Sequence, residues 1–444
     1  MKRVLILLVG LIALVGIENV SAQSRNSYFM EGSYFRNDMN PALAPTRGYI
    51  ALPAMSGLGI NMSQNFLSVD NLFYQRDGQV VTAFHESVSA DEFLSKLPSQ
   101  GKFALDTKVN VLGVGFYAKR MFWTFGVNTN ISADMAMSMD AFKALKTLGN
   151  GTYDLGDTAL EANAYMDAYL GTSFRVHKNV NIGIKAKFLV GLATAEAQFN
   201  ELKANVTPDA VNGVINGTFR ANGMFIDNRT DEFMSGDYNY ILNNINNFGA
   251  ALDLGVEVRL LDDHLKLSAA ITDLGFISWS KSAAARAEFG YGFTYKGVNL
   301  TTGEVDMQSE DNISMVAPSG YTKSLNTTLN IGAEYTILNN WISFGLLSHT
   351  EFRQLYTLSE LIASVNFRVG KNFSATLSHT FCGRNRAGIF GAAINVHTAG
   401  LNLFLGADYI DTNYASAGEM VVPKFQKSLN YYFGLGFNLG KTKF

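Results

Sequence analysis

Between Val180 and Leu192 the chain changes character at every step. Val180, Ile182, Ile184, Ala186, Phe188, Val190 and Leu192 are apolar and in phase, while Asn181, Gly183, Lys185, Lys187, Leu189 and Gly191 stand between them. Side chains two apart share a face of a β-strand, so one face suits an apolar surround and the other is mixed. Upstream, Leu160, Ala162, Ala164, Met166, Ala168, Leu170, Thr172, Phe174 and Val176 repeat the pattern against Glu161, Asn163, Tyr165, Asp167, Tyr169, Gly171, Ser173 and Arg175. Only His177-Lys178-Asn179 joins the two strands. One such hairpin would also fit a large soluble sandwich, so recurrence decides.

The pattern recurs. Ala250, Leu252, Leu254, Val256, Val258 and Leu260 alternate with Ala251, Asp253, Gly255, Glu257 and Arg259. Leu325, Thr327, Leu329, Ile331, Ala333, Tyr335 and Ile337 alternate with Thr328, Asn330, Gly332 and Glu334. Met121, Trp123, Phe125, Val127, Ile131 and Ala133 form a further strand. The second face carries charge or glycine, which fits a hydrated lumen better than the inside of a sandwich. Short turns near 119–120, 177–179, 261–264, 338–340, 370–372 and 398–399 alternate with longer connections at about 63–106, 137–159, 195–247, 279–323, 353–360, 383–387 and 411–427. Transmembrane barrels have short periplasmic turns and long extracellular loops. The six hairpins, a first strand near 49–62 and a last near 428–440 predict an all-β fold. It is a single closed antiparallel transmembrane β-barrel of about fourteen strands over 49–444. Closure is required because an open sheet edge in hydrocarbon leaves backbone groups unpaired. The last strand, Leu429 to Leu439, ends shortly before Phe444, a terminal aromatic that lies out of phase with the lipid face.

A mean hydropathy of +0.06 looks soluble, but a barrel averages a lipid face with polar loops. Lys2-Arg3, the apolar run Val4–Ile17 and Val20-Ser21-Ala22 read as an export signal cleaved after residue 22, which places the protein in a Gram-negative outer membrane. No other apolar run is long enough for a spanning helix. A net charge of −3 gives no reason to expect a nucleic-acid partner, and the lone Cys382 excludes an intramolecular disulfide.

By phase, Asp167, Arg175, Lys185, Lys187, Asp253, Glu257, Arg259, Lys266, Glu334 and Arg368 face the lumen. Mixed in sign, they either pair across it or form a polar path or binding wall. Trp123, Trp279, Trp341, Tyr117, Tyr335 and Tyr409 are girdle candidates, with ordinary strand aromatics as the competing reading. Ser89-Ala90-Asp91-Glu92 opens a short loop helix, and Asp140–Lys146 forms another. Leu-Ser-His-Thr occurs at 347–350 and 377–380, but His349 has lumen phase and His379 lipid phase, so they build no shared catalytic site. The reading is therefore of a non-enzyme without cofactor or metal.

Asn40-Pro41-Ala42 before the first strand resembles the NPA segment of FadL-like long-chain fatty-acid transporters. Asp273-Leu274-Gly275-Phe276-Ile277 with Trp279, and the series Leu170–Ser173 through Gly183–Gly191, resemble strands of Bacteroides-type outer-membrane barrels. Over nearly the whole mature chain the likeness is to a Bacteroides-type barrel family of undefined function, distantly similar to FadL-like and PorV-type barrels. The resemblance implies fourteen strands and an N-terminal plug, here within residues 23–48. The chain departs from the family in having only residues 23–39 ahead of the NPA segment. It also implies passive transport of small hydrophobic molecules, with outer-membrane lipid as surround. The alternative is a surface or secretion-associated scaffold for envelope protein partners.

Overall fold

The computed structural model describes residues 25–51, 57–147, 151–223, 245–281, 284–298, 305–317, 319–381, 389–411, 414–417, 420–423 and 428–442. The export signal, Cys382 and Phe444 lie outside the described residues. Fourteen antiparallel strands close a barrel. The first strand, β1, has two pieces, Gly48–Ala51 and Leu58–Gln64. It is followed by β2 (Gln100–Ala118), β3 (Met121–Ser138), β4 (Ala159–His177), β5 (Val180–Val206), β6 (Phe248–Leu260) and β7 (Leu265–Trp279). The remainder are β8 (Thr327–Ile337), β9 (Ile342–Phe352), β10 (Thr357–Val369), β11 (Phe373–Phe381), β12 (Ile389–His397), β13 (Asn402–Asp411) and β14 (Ser428–Leu439). Each pairs with its neighbours in sequence, and both pieces of β1 pair with β14 and β2. Ala51 and Leu58 are seven residues apart, whereas their β14 partners Gly436 and Phe433 are three apart. The two pieces of β1 are therefore offset by four residues in their register with β14.

The alternation is realised in three dimensions. Ile184, Phe188, Leu254, Phe344, Leu377 and Phe437 are exposed on the outside, while Lys185, Lys187, Asp253, Glu334 and Thr376 are buried within. An apolar exterior around a closed backbone ladder is the outer-membrane solution to spanning hydrocarbon.

Bulges correct several sequence expectations. Asp273 in β7 has φ 57°, and the register with β6 slips between Leu252 and Leu254. One extra residue reverses the phase beyond it. Thr272 is buried before the bulge, and Ile277 and Trp279 after it, so Trp279 packs inside with Leu189, Ala251 and Leu325 instead of joining a girdle. Leu325, expected on the lipid face, is likewise inside. Tyr409 (φ 61°) is turned inward at a similar slip in β13, and Tyr117 faces the lumen beside Phe122. Tyr335 and Trp341 are exposed at the short-turn end, and Trp123 alternates outward between buried Phe122 and Thr124.

The connections expected as loops at 195–247 and 279–323 are partly strand. β5 continues to Val206, and Val211–Gly223, Ala284–Val298 and Val305–Val316 extend its sheet beyond the barrel. With no lipid on one side, nothing selects apolar residues at alternate positions there. The expected loop helices form at Ala90–Leu94, where the Ser89 hydroxyl accepts from the Glu92 amide at 3.1 Å, and at Asp140–Thr147.

Candidate functional site

The lumen expected to be hydrated is occupied by the chain itself. Residues 25–47 lie inside the barrel as successive tight turns and a short helix, Arg36–Met39. Tyr28, Phe29, Met30, Tyr34, Met39 and Leu43 are all buried there. A segment this rich in aromatics and lacking any period cannot bury itself alone, so it takes its core from the wall.

Inward-facing glycines make room for it. Gly183 and Gly255 pair across β5 and β6. A Cβ on Gly183 would stand 2.0 Å from the Pro41 carbonyl carbon, and one on Gly255 2.1 Å from Asn40 Oδ1. The Asn40-Pro41-Ala42 turn therefore rests on bare backbone. Its own amide at Ala42 donates to Asn40 Oδ1 at 2.9 Å, Asn40 Nδ2 donates to the Tyr28 hydroxyl at 3.1 Å, and Ser173 Oγ donates to the Ala42 carbonyl at 3.1 Å. Phe29 and Phe35 approach Gly345 and Gly434 in the same way.

Three charged residues lock the segment to the wall. Asp38 meets Lys185 at 3.0 Å and Lys108 at 3.3 Å. Glu31 pairs with Lys266 and stands 3.7 Å from Arg368. Arg25 reaches Glu360 at 2.9 Å and Glu351 at 3.3 Å. Burial opposes ionisation of Glu31 and Asp38, yet the surrounding cations outweigh it, and both carboxyls are held well below their ordinary range.

The ten residues chosen by phase keep different company. Lys185, Lys266 and Arg368 grip the N-terminal segment; Lys185 also donates to the Asn37 carbonyl at 3.2 Å and Arg368 to that of Phe29 at 3.0 Å. Glu334 joins Lys266 and Arg368. Lys187 bridges Asp253 (2.9 Å) and Asp273 (2.7 Å) within the wall. Asp167 accepts from Asn128 and Asn130, and Glu257 from Arg259 and Asn181. Arg175 sits exposed at the short-turn mouth, donating to Asn181 at 3.4 Å.

Sequence reasoning missed the cluster at the other end. Arg353 meets Asp106, Asp134 (2.8 Å) and Glu351 (2.7 Å), and Tyr356 donates to Asp134 at 2.9 Å. Arg353 and Tyr356 lie in the connection between β9 and β10, beyond the alternating stretches; the Glu351-x-Arg353 spacing was the available signal. A cavity of about 110 Å³ beside them is lined by charged groups and Trp279, room for a few waters. His349 is buried inside against Glu351, whereas His379 lies outside against Phe381 and Phe390.

One sector of the lumen is apolar instead. Phe35 stacks on Tyr34 (4.4 Å) and contacts Phe404 (5.2 Å), which stacks on Tyr432 (5.3 Å), while Tyr34 stacks on Tyr49 (4.6 Å). On the outside of the same wall, a groove of about 530 Å³ is lined by Ala392, Ile394, Leu405, Ala407, Tyr431 and Phe433.

Among solved structures the chain is similar to the TodX monoaromatic hydrocarbon channel deltaS2 mutant (10% identity, 95% of this chain and 96% of that one, TM-score 0.41). It is also similar to a Pseudomonas aeruginosa FadL homologue (8%, 95% and 98%, 0.40) and to the Ralstonia pickettii toluene transporter TbuX (10%, 96% and 96%, 0.30). These likenesses concern the fold alone. No curated protein matches the chain. Residues 41–408 match a family described as a family of unknown function, DUF5723.

Proposed function

Because the chain belongs to the DUF5723 family of unknown function, we propose its activity from the lumen: a passive outer-membrane channel for small hydrophobic molecules, closed by residues 25–47. The short-turn end faces the periplasm, and the chain arrives there after removal of residues 1–22. The observation that carries the reading is the aromatic seam Tyr34, Phe35, Phe404 and Tyr432. It lies behind small wall residues opposite the apolar outer groove. A hydrophobic solute has partners along that sector on both sides of the wall.

The test is entry of naphthalene into proteoliposomes carrying the mature chain, with a sugar of similar size as control. Naphthalene entry rises with the amount of barrel, and Phe404→Arg reduces it severalfold while sugar entry stays unchanged. Entry independent of the barrel refutes the proposal. A second reading, a scaffold for envelope proteins, draws support from the sheet Val211–Gly223, Ala284–Val298 and Val305–Val316 beyond the barrel. Stoichiometric co-purification that is lost when residues 284–316 are removed would favour it.

A further inference from the structure

At the short-turn end, the N-terminal segment and the wall enclose a cavity of about 840 Å³. Arg36, Arg175 and Arg259 line it from three separate elements: the short helix, β4 and β6. All three also act electrostatically on the Tyr117 hydroxyl, which lines the same cavity. That hydroxyl is already committed, donating to the Pro45 carbonyl at 2.7 Å.

Arg36 is the anomaly. It is only 5% exposed, and its Nε is buried without a hydrogen-bond partner. Among the described residues its guanidinium has no ion-pair partner. Two of the acids that line the cavity are engaged elsewhere. Glu31 serves Lys266 and Arg368, and Glu257 serves Arg259 at 3.0 Å and Asn181 at 2.8 Å. Six cationic side chains, Arg36, Lys119, Arg120, Arg175, Arg259 and Lys266, line the cavity against four carboxylates, Glu31, Glu257, Asp262 and Asp263, and a buried cation without a bonded counter-charge, as Arg36 is, is costly. A guanidinium fork matches an oxyanion in two parallel hydrogen bonds.

We propose that this cavity binds a small oxyanion, a phosphate or a carboxylate, held between Arg36 of the N-terminal segment and Arg175 and Arg259 of the wall. Bound there, the anion bridges plug and barrel and tightens the seating of residues 25–47. The site stands whether or not the barrel conducts hydrophobic solutes.

The experiment is calorimetric titration of the detergent-solubilised mature chain with inorganic phosphate and, separately, acetate, each against sodium chloride of equal ionic strength. At least one oxyanion binds beyond the chloride control. Arg36→Gln weakens that binding about tenfold or more, the equivalent of one well-made charged contact, while Lys371→Gln on another turn leaves it unchanged. In parallel, the bound oxyanion slows phenylglyoxal modification of Arg36 in the unmutated chain but not that of Arg76 in a distant loop hairpin. If Arg36→Gln fails to fold, as judged by heat-modifiable gel migration, this footprint decides alone. No binding and no protection by either anion, or binding undiminished in folded Arg36→Gln, overturns the proposal.

Discussion

Replacing Gly183 by alanine adds one methyl group and should unseat the N-terminal segment without unfolding the barrel. The new Cβ would lie 2.0 Å from the Pro41 carbonyl carbon and 2.2 Å from the Ala42 amide nitrogen, where ordinary contact begins at 3.4 Å. Both obstacles are backbone, so no side chain can swing aside. The wall is fixed by the pairings Gly183↔Gly255 and Gly183↔Ser173, so the turn must retreat by about 1.4 Å. The Ser173–Ala42 hydrogen bond, now 3.1 Å, then passes beyond bonding range and leaves a buried hydroxyl unsatisfied. That loss with the local strain amounts to about 2–4 kcal/mol, or roughly a 30- to 1,000-fold larger open population. The assay is maleimide labelling of Met39→Cys, a position 1% exposed, in a background without Cys382. Gly183→Ala should accelerate labelling by that factor. The control is Gly292→Ala, where an added Cβ meets nothing within 4 Å. Unchanged labelling in Gly183→Ala, or equal acceleration by the control, would refute the steric argument.

Ile184→Arg places charge on the lipid face and should lower barrel stability by about 2–4 kcal/mol in urea titrations from lipid vesicles. Lys185→Ala, one residue along, which the alternation alone expects to be silent, should leave that titration nearly unchanged yet speed Met39→Cys labelling, because Asp38 keeps only Lys108 and the Asn37 carbonyl loses its partner. Arg353→Gln strands Asp106, Asp134 and Glu351 and should cost about 3–5 kcal/mol, read by the same titration. Glu31 and Asp38 ionise more readily in place than in a free chain. Their contribution to seating is therefore complete above the ordinary carboxyl pKa of about 4 and declines as pH falls below it, so labelling should accelerate only in acid. Acceleration on raising the pH from neutral would contradict the sign.

The barrel was legible because hydrocarbon imposes a strict rule on one face of every strand, and Val180–Leu192 obeys it without exception. The rule lapses where its cause does. Beyond the lipid, Ala284–Val298 pairs on both edges and has no reason to alternate. It also fails at a single extra residue: nothing in Asp273-Leu274-Gly275 announces a left-handed aspartate, which turns Ile277 and Trp279 inward and takes Trp279 out of the candidate girdle. The inward glycines were visible but misread. Gly183, Gly255 and Gly332 suggested water, whereas they accommodate a segment whose own sequence, Tyr28 to Ala42, carries no period from which its place could be inferred. Only the Asn40-Pro41-Ala42 resemblance pointed there.

The closing segment remains part of the polypeptide it obstructs. Three residues, Pro45, Thr46 and Arg47, separate Ala44 from the first residue of β1, Gly48. Release is therefore an intramolecular event: the freed turn stays confined near the mouth at an effective concentration of order about millimolar. Reclosure then neither depends on protein concentration nor waits for an encounter. A free peptide of residues 25–47 would have to reach that range before competing for the lumen, so the segment can unseat often and still spend little time outside.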